Sequence, residues 1–431
     1  MTSKNPWHRY ATTKKDCRPF FPAPSESGQE AHPSTPLTYG VNDHPSPPPA
    51  VPSPPWRTFL SREAFQQQAA ADSWKRWLEL RHLADTSERY ARARTRATSF
   101  VLPANDASRN LVLAVNAALS LRRPLLLTGL PGSGKTTLAY AVADWLGLGP
   151  VLEWSVTPGA TLADALATYD PLSRLQDLEI ARKAASNKPN PETSPSQDPA
   201  PRPVEDYIRL GPVGTAFLPM PLPRVLLIDE IDKGDLNLAH ELLHLFEEGK
   251  FALPQLQRDS GSAAQGASVI SQIRTINSAD EDDNGNPIPV SIHGAVVQCH
   301  EFPLVVMTSN GEREFPPAFN RRCLRVPMPD FSRDPASLEA IVRSHWEPSG
   351  SLPSSEPMAQ LDVALQEFQE ASTAARGNGD SLALDQLLNL AFLLEQEGEH
   401  LSNTTRQDLR AVVLQALNAE PEPSQDPGAA T

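Results

Sequence analysis

The sequence predicts an α/β fold: a parallel sheet sandwiched by helices, followed by a small all-helical domain, with disordered termini. Three observations carry that prediction. Short apolar runs recur at 123–129, 224–232 and 301–310. Each has an unbroken apolar centre (LLL, VLLI, LVVM), as expected of a strand buried on both faces. Stretches with apolar residues at i, i+3 and i+4 lie between them, so strands alternate with helices as in a covered parallel sheet. After Asp330 the pattern becomes wholly helical.

The elements follow in order. Residues 1–57 are poor in aliphatics and rich in Pro, Ser and Thr, and "HPSPPPAVPSPP" predicts an extended, polyproline-like arm. Residues 58–99 form an N-terminal helical segment in which Trp74, Trp77 and Leu78 could share one face. Its end, "ERYARARTRATS", carries Arg89, Arg92, Arg94 and Arg96, which read as a solvated helix face or as a docking or nucleic-acid surface. The α/β domain spans 100–332. "RNLVLAVNAALSL" (109–121) is helical, and "RPLLLTG" (123–129) is the first buried strand. "TTLAYAVADWLGLG" (136–149) puts Leu138, Ala139, Val142, Ala143 and Leu146 on one helix face and stops at Gly. Residues 183–203 have the composition of a disordered loop. "RVLLIDEID" (224–232) is the second buried strand, and "NLAHELLHLFEEG" (237–249) is a helix with a Gly stop. Residues 268–300 form two strand-like runs around "NSADEDDNGNP", which predicts a long β-hairpin. "EFPLVVMTSN" (301–310) is the third strand. The helical domain spans 333–420, with helices expected at 334–346, 358–368, 382–396 and 405–418. The first of these opens with an Asp cap and a Pro at its first position. Residues 421–431 are a disordered tail.

Bulk properties exclude several function classes. The net charge of −14 argues against a general nucleic-acid coat. The 44 prolines, about twice the usual share, point to a folded middle diluted by disordered segments. Cys17, Cys299 and Cys323 form no CxxC pair and no metal spacing, so a reducing cytoplasm is the expected setting. The N-terminus lacks an apolar signal-peptide core, and no run of about 18 apolar residues marks a membrane span.

"GLPGSGKT" (129–136) follows a buried strand and opens a helix, in the pattern G-x-x-x-x-G-K-[ST]. Gly129, Pro131, Gly132, Ser133 and Gly134 would curl the backbone so that successive N–H groups face an anion. The helix N-terminus adds positive potential, and Thr137 continues that first turn. Lys135 would neutralise the β- and γ-phosphates of ATP, and the Thr136 hydroxyl would ligate Mg²⁺. In "VLLIDEIDK" (225–233) the strand delivers Asp229 to the Mg²⁺, through water. Glu230 follows, placed to polarise a water attacking the γ-phosphate. By itself the Asp-Glu pair could be surface acidity after a strand; beside the phosphate loop it argues for hydrolysis over group transfer. In "MTSNGEREFPPAFNRRCLRV" (307–326) the third strand brings Asn310 to the same crevice, where an amide can orient the water without adding negative charge. Arg321 and Arg322 lie too far round the domain to serve their own nucleotide. They suit a neighbour's, as an arginine finger in a ring, or they are surface charges alongside Arg325.

"GLPGSGKT", "VLLIDEID", "TSN" and "PPAFNRRC" in this order resemble an AAA+ ATPase. "YIRLGPVGTAFLP" (207–219) is similar to the G-P-[IV] stretch of the MoxR family, which belongs to the helix-2-insert clade. The resemblance covers about residues 100–420. It implies a P-loop NTPase core with a helical lid, hydrolysis of Mg-ATP, a ring that is usually hexameric, and chaperone-like remodelling of a partner. The partner is often a von Willebrand factor A domain protein. Some relatives sit in bacterial defence gene sets. The region before 207–219 would be the helix-2 insert and 268–300 the pre-sensor-1 hairpin. Lys135 and Thr136 match Walker A, Asp229 and Glu230 match Walker B, and Asn310 matches sensor 1. "PPAFNRRC" aligned with P-x-A-x-x-D-R-F leaves Arg322 at the finger position and Arg321 in place of its Asp. No arginine stands where the sensor-2 arginine should open a lid helix near 379–388, and Arg376 falls in a loop-like stretch. Two rivals remain: a motor acting on nucleic acid through 88–98 and Arg274, which the "DEDD" at 280–283 opposes, and an ATP-gated switch with little turnover.

Overall fold

The computed structural model describes residues 54–68, 70–102, 106–186, 202–256, 270–275, 280–288, 290–330, 334–346, 358–377, 384–397 and 413–414. The proline-rich arm, the loop within 183–203, the helix expected at 405–418 and the tail fall wholly or mostly outside these residues.

The core is a five-stranded parallel sheet. Its strands are β1 (Leu125–Thr128), β2 (Leu152–Ser155), β5 (Val225–Asp229), β10 (Leu304–Ser309) and β11 (Leu324–Pro327), in the order β11-β1-β10-β5-β2. β10 and β2 flank β5 in parallel, with Val305 opposite Leu226 and Leu152 opposite the same residue. The residues Leu125–Leu127, Val225–Ile228 and Leu304–Ser309 are buried throughout, which is why these three strands show as continuous apolar runs. β2 ("LEWS") and β11 ("LRVP") are strands the sequence pattern does not single out. They are four residues long, lie at the two edges and expose alternate side chains, so neither has an apolar run.

The helices, in chain order, are α1 (Arg62–Gln68), α2 (Ala70–Thr86), α3 (Ala91–Ser99), α4 (Asp106–Leu121), α5 (Lys135–Leu146), α6 (Leu162–Leu166), α7 (Pro171–Ser186), α8 (Pro212–Ala216), α9 (Leu236–Glu248), α10 (Pro317–Arg322), α11 (Pro335–Trp346), α12 (Met358–Gly377) and α13 (Leu384–Glu397). The apolar face predicted for α5 is buried at Leu138, Ala139, Val142 and Ala143. α9 begins at Asp235, whose carboxylate accepts from the Asn237 N–H, and ends at left-handed Gly249. Its Leu238, Leu242, Leu245 and Phe246 pack with Leu226, Ile228, Val305 and Met307 of the sheet.

By mutual contact the chain divides into two units. One comprises Met1–Ala97, Arg109–Leu127 and Thr136–Val326; the other comprises Thr98–Ser108, Thr128–Lys135 and Pro327–Thr431. In the second unit α11, α12 and α13 bury Leu338, Val342, Leu365, Phe368, Leu387 and Leu390 against one another. Asp334 caps α11 by accepting from the Ala336 N–H and from the Ser337 hydroxyl. Arg376, expected in a loop, lies in the last turn of α12.

The N-terminal helices are part of the first unit. Phe59 stacks on Phe302 at 5.3 Å, and Phe65 stacks on His300 at 4.1 Å. The buried stripe of α2 is not Trp74-Trp77-Leu78: Leu78 is exposed, and Ser73, Arg76, Trp77, Leu80 and Leu83 face inward. Arg76 donates to Asp280 and to the Ile288 carbonyl, and Arg224 donates to Asp280 from the other side at 2.8 Å. The "DEDD" run therefore does not present four carboxylates at a hairpin tip. Asp280 is 0% exposed, and Glu281 pairs with Arg89. The basic run is largely engaged as well. Arg94 donates to the carbonyls of Ala84 and Ser87, and Arg96 donates to the Tyr140 hydroxyl and lies over its ring.

Two excursions leave the core. β3 (Ala167–Tyr169), α7 and β4 (Ile208–Leu210) form a strand–helix–strand unit with β3 and β4 antiparallel. β7 (Ile270–Thr275) and β8 (Val290–His293) pair antiparallel, and β7 also pairs in parallel with β4, giving a second sheet of order β3-β4-β7-β8. The run "PVSIHGAVVQ", expected as one strand, breaks at Gly294 (φ +74). β9 (Val296–Gln298) then pairs with β6 (Lys250–Ala252).

Candidate active site

The chemistry predicted from sequence gathers at the C-terminal ends of β5 and β10. Asp229 is the last residue of β5. The Thr136 hydroxyl, in the first turn of α5, lies 3.0 Å from its Oδ1 and 3.2 Å from its Oδ2. The Thr308 hydroxyl on β10 donates to the same Oδ1 at 2.5 Å. A hydroxyl and a carboxylate in contact are hard oxygen donors of the kind Mg²⁺ takes, one or two from the protein with phosphates and water supplying the rest. Among the described residues no group of three or more His, Cys, Asp or Glu could hold a metal by themselves.

Glu230 has φ +58 and ψ +47, the left-handed region that a non-glycine residue enters only when its surroundings hold it there. Here its N–H donates to Thr308 Oγ1 at 2.9 Å, so one threonine side chain fixes both acidic residues. The turn swings the Glu230 carboxylate out of line with the strand. Lys233 Nζ sits 2.7 Å from its Oε2, and this hydrogen bond raises the Lys233 pKa.

Asn310 follows the last residue of β10, and its N–H donates to Asp232 Oδ2 at 2.9 Å. The same oxygen accepts from Ser309 Oγ (2.9 Å), Gly311 N (3.0 Å) and Glu312 N (3.1 Å). Gly311 has φ +83, which lets consecutive N–H groups converge on one point. Asp232 is thus the residue that sequence reasoning missed. Its signal was present: an acidic residue two positions after Glu230, at a place that turns out to be 3% exposed.

The glycine-rich loop 129–135 belongs to the second unit. Gly129, Gly132 and Gly134 all have positive φ, and the Ser133 N–H bonds back to the Leu130 carbonyl. Lys135 is buried, with Nζ 2.7 Å from the Gly129 carbonyl and 2.8 Å from the Leu130 carbonyl. A Cβ on Gly134 would lie 3.4 Å from the Phe100 ring and 3.7 Å from the Met328 methyl. This curl, with its lysine and a helix starting at Lys135, fits a phosphate chain. Pro131 lies at the exposed tip of the loop and Thr137 in the first turn of α5.

The two arginines differ. Both end α10, and both are exposed. Arg322 Nε is 2.6 Å from Glu247 Oε1 on α9, and Arg57 reaches the other Glu247 oxygen at 3.5 Å. Among the described residues the Arg321 side chain has no ion-pair partner; its carbonyl accepts from Arg123. Sequence reasoning preferred Arg322 without seeing that Glu247 holds it within its own chain.

Residues 124–289 match the family model for the AAA domain (dynein-related subfamily). No curated protein matches the chain. Among solved structures, C. elegans PCH-2 is 14% identical over 75% of this chain and 71% of that one, with a TM-score of 0.35. NtrX from Brucella abortus in complex with ADP is 15% identical, with a TM-score of 0.34. It is matched by 73% of this chain, which spans about half of it (55%). The Thermotoga maritima RuvB Holliday junction branch migration motor is 15% identical over 73% of this chain and 69% of that one, with a TM-score of 0.33. The family match runs from the residue before β1 to the end of the loop that leads into β8, and so includes the phosphate loop, Thr136, Asp229, Glu230 and Asp232. Over residues 124–289, less than half of its length, the chain is similar to the AAA domain (dynein-related subfamily).

Proposed function

We propose that this chain is a MoxR-like AAA+ ATPase that hydrolyses Mg-ATP at the subunit interfaces of a ring and uses the motion to remodel or activate a partner protein. The observation that carries the reading is the Thr136–Asp229–Thr308 cluster with Glu230 beside it. It brings a metal-type oxygen pair, Thr136 and Asp229, from two distant segments together beside a candidate base, Glu230. Lys135 and the loop N–H groups would hold the phosphates, and Thr136 and Asp229 would hold Mg²⁺. When bound, Mg²⁺ neutralises charge on the phosphates. Glu230 would orient a water and accept its proton at the carboxylate. The Asn310 amide would hold that water from the other side. Arg322 of a neighbouring copy would offset charge on the γ-phosphate, with Arg321 as the substitute.

Support for the MoxR level comes from β3–α7–β4, the strand–helix–strand form a helix-2 insert would take, ahead of the G-P-V stretch at the start of α8. By the same resemblance the ring is a hexamer and the partner a von Willebrand factor A domain protein or another client. Cys299 and Cys323 are buried free thiols, which suits the cytoplasmic reading. No helix among the described residues is long and apolar enough to cross a membrane. The nucleic-acid rival loses support, because Arg89, Arg94 and Arg96 are engaged inside the chain. The switch rival keeps one specific observation: Lys233 occupies the Glu230 carboxylate.

Light scattering tests the ring. Glu230→Gln with ATP should assemble toward six copies, and the nucleotide-free protein should be smaller. A particle that stays monomeric with ATP bound contradicts the ring.

A further inference from the structure

Asp232 is buried and adjoins the active carboxylates, yet the mechanism above gives it no task. Its Oδ2 receives Ser309 Oγ and the N–H groups of Asn310, Gly311 and Glu312, at 2.9 to 3.1 Å. Its Oδ1 is buried and makes no protein hydrogen bond among the described residues. The carboxylate is therefore aimed wholly at the loop that carries Asn310. A charged acceptor strengthens each of these bonds and orients consecutive peptide units. Ser309 Oγ also accepts from Gly311 N, so the loop closes on itself around this one oxygen. Asp232 lies in the single 3₁₀ turn, Ile231–Lys233, that directly follows Glu230. The segments bearing Glu230 and Asn310 are thus joined at two points: Thr308 to the Glu230 N–H, and Asp232 to the loop.

We infer that Asp232 is a positioning residue for hydrolysis, setting where Asn310 stands relative to Glu230. The inference rests on the ATPase reading proposed above. Asp232 touches no reacting atom; it acts through the backbone of residues 309–312. A shift of about 1 Å in a catalytic group lowers turnover by on the order of 10²-fold. Loss of this anchor would remove the shared acceptor of three backbone N–H groups and the buried Ser309 hydroxyl and let the loop relax by such an amount.

The test is a double-mutant cycle between Asp232 and Asn310, measured as ATP turnover, nucleotide affinity and thermal midpoint. Asp232→Asn should fold, because its amide oxygen can face the loop while its NH₂ takes the side of Oδ1. Asp232→Ala should lower kcat by on the order of 10²-fold and leave ATP affinity within about twofold. Asp232→Asn should recover part of that loss. In the Asn310→Ala background, Asp232→Ala should cost little more, because the group it positions is gone. Multiplying effects, or a loss shared equally by affinity and turnover, overturn the inference while the ATPase reading stands. Absence of turnover in the wild type overturns both.

Discussion

The two ends of β5 hold their carboxylates in different ways. Before its first residue, Arg224 meets Asp280, which also meets Arg76; Asp280 and Arg224 are at most 1% exposed. After its last residue come Asp229 and Glu230, held by threonine hydroxyls and left partly open. At the first end every Asp280 oxygen has an arginine, and the network joins three segments far apart in sequence: α2, the entry to β5 and the loop before β8. At the second end acceptor capacity is left over for a cation and a water. A buried, paired carboxylate holds a fold together, whereas a half-open one can do chemistry.

The largest expected effect is at the proposed ring interface. Arg322→Ala should lower ATP turnover in the assembled particle by about 10³–10⁵-fold with nucleotide affinity kept. If Arg321→Ala has that effect instead, then the Glu247–Arg322 pair is structural and Arg321 is the finger. At the other end of the strand, Asp280→Ala strips the partner from two buried arginines. It should cost about 3–5 kcal/mol and lower Tm by roughly 10 °C, with turnover per folded molecule retained. A smaller effect concerns acid. Burial alone would raise the Asp280 pKa, but Arg224 and Arg76 hold it below the ordinary value. A carboxyl with a depressed folded pKa stabilises the fold above its unfolded pKa, and that contribution fades as pH falls through the folded pKa. Melting curves should show wild-type stability declining below about pH 4, with Asp280→Asn less stable at neutral pH and flatter across that range. The smallest effect is at Lys233, whose exposed pair with Glu230 restrains the carboxylate weakly. Lys233→Met should raise basal turnover by about twofold to fivefold and leave Tm unchanged. A fall in turnover would show that Lys233 helps catalysis.

The sequence made one end of β5 far more legible than the other. Asp229 and Glu230 stand at the end of an apolar run and downstream of a glycine-rich loop, so local pattern alone located them. Asp280 stands in a polar stretch that looks like solvent-facing acidity, and its partners are 56 and 204 positions away. Periodicity does not register a pairing between such distant residues. Arg76 illustrates the same limit: by helix spacing it is simply a charged residue beside Trp77, and its burial depends on a carboxylate from another segment. The central strands were readable because burial on both faces leaves no polar positions. The edge strands β2 and β11 were not, because each exposes every other residue. Asp232 was hidden by its own neighbourhood, one acidic residue among three, and only the convergence of loop N–H groups separates it from the others.

We propose that the C-terminal end of β5 is a site of ATP hydrolysis with Glu230 as its base. Steady-state phosphate release by wild type and Glu230→Gln, with nucleotide affinity measured on both, tests it most directly. The wild type should turn over ATP, the variant should lose about 10²–10⁴-fold, and ATP affinity should be unchanged or tighter. Equal turnover in the two proteins, or none in the wild type with ATP bound, would contradict it.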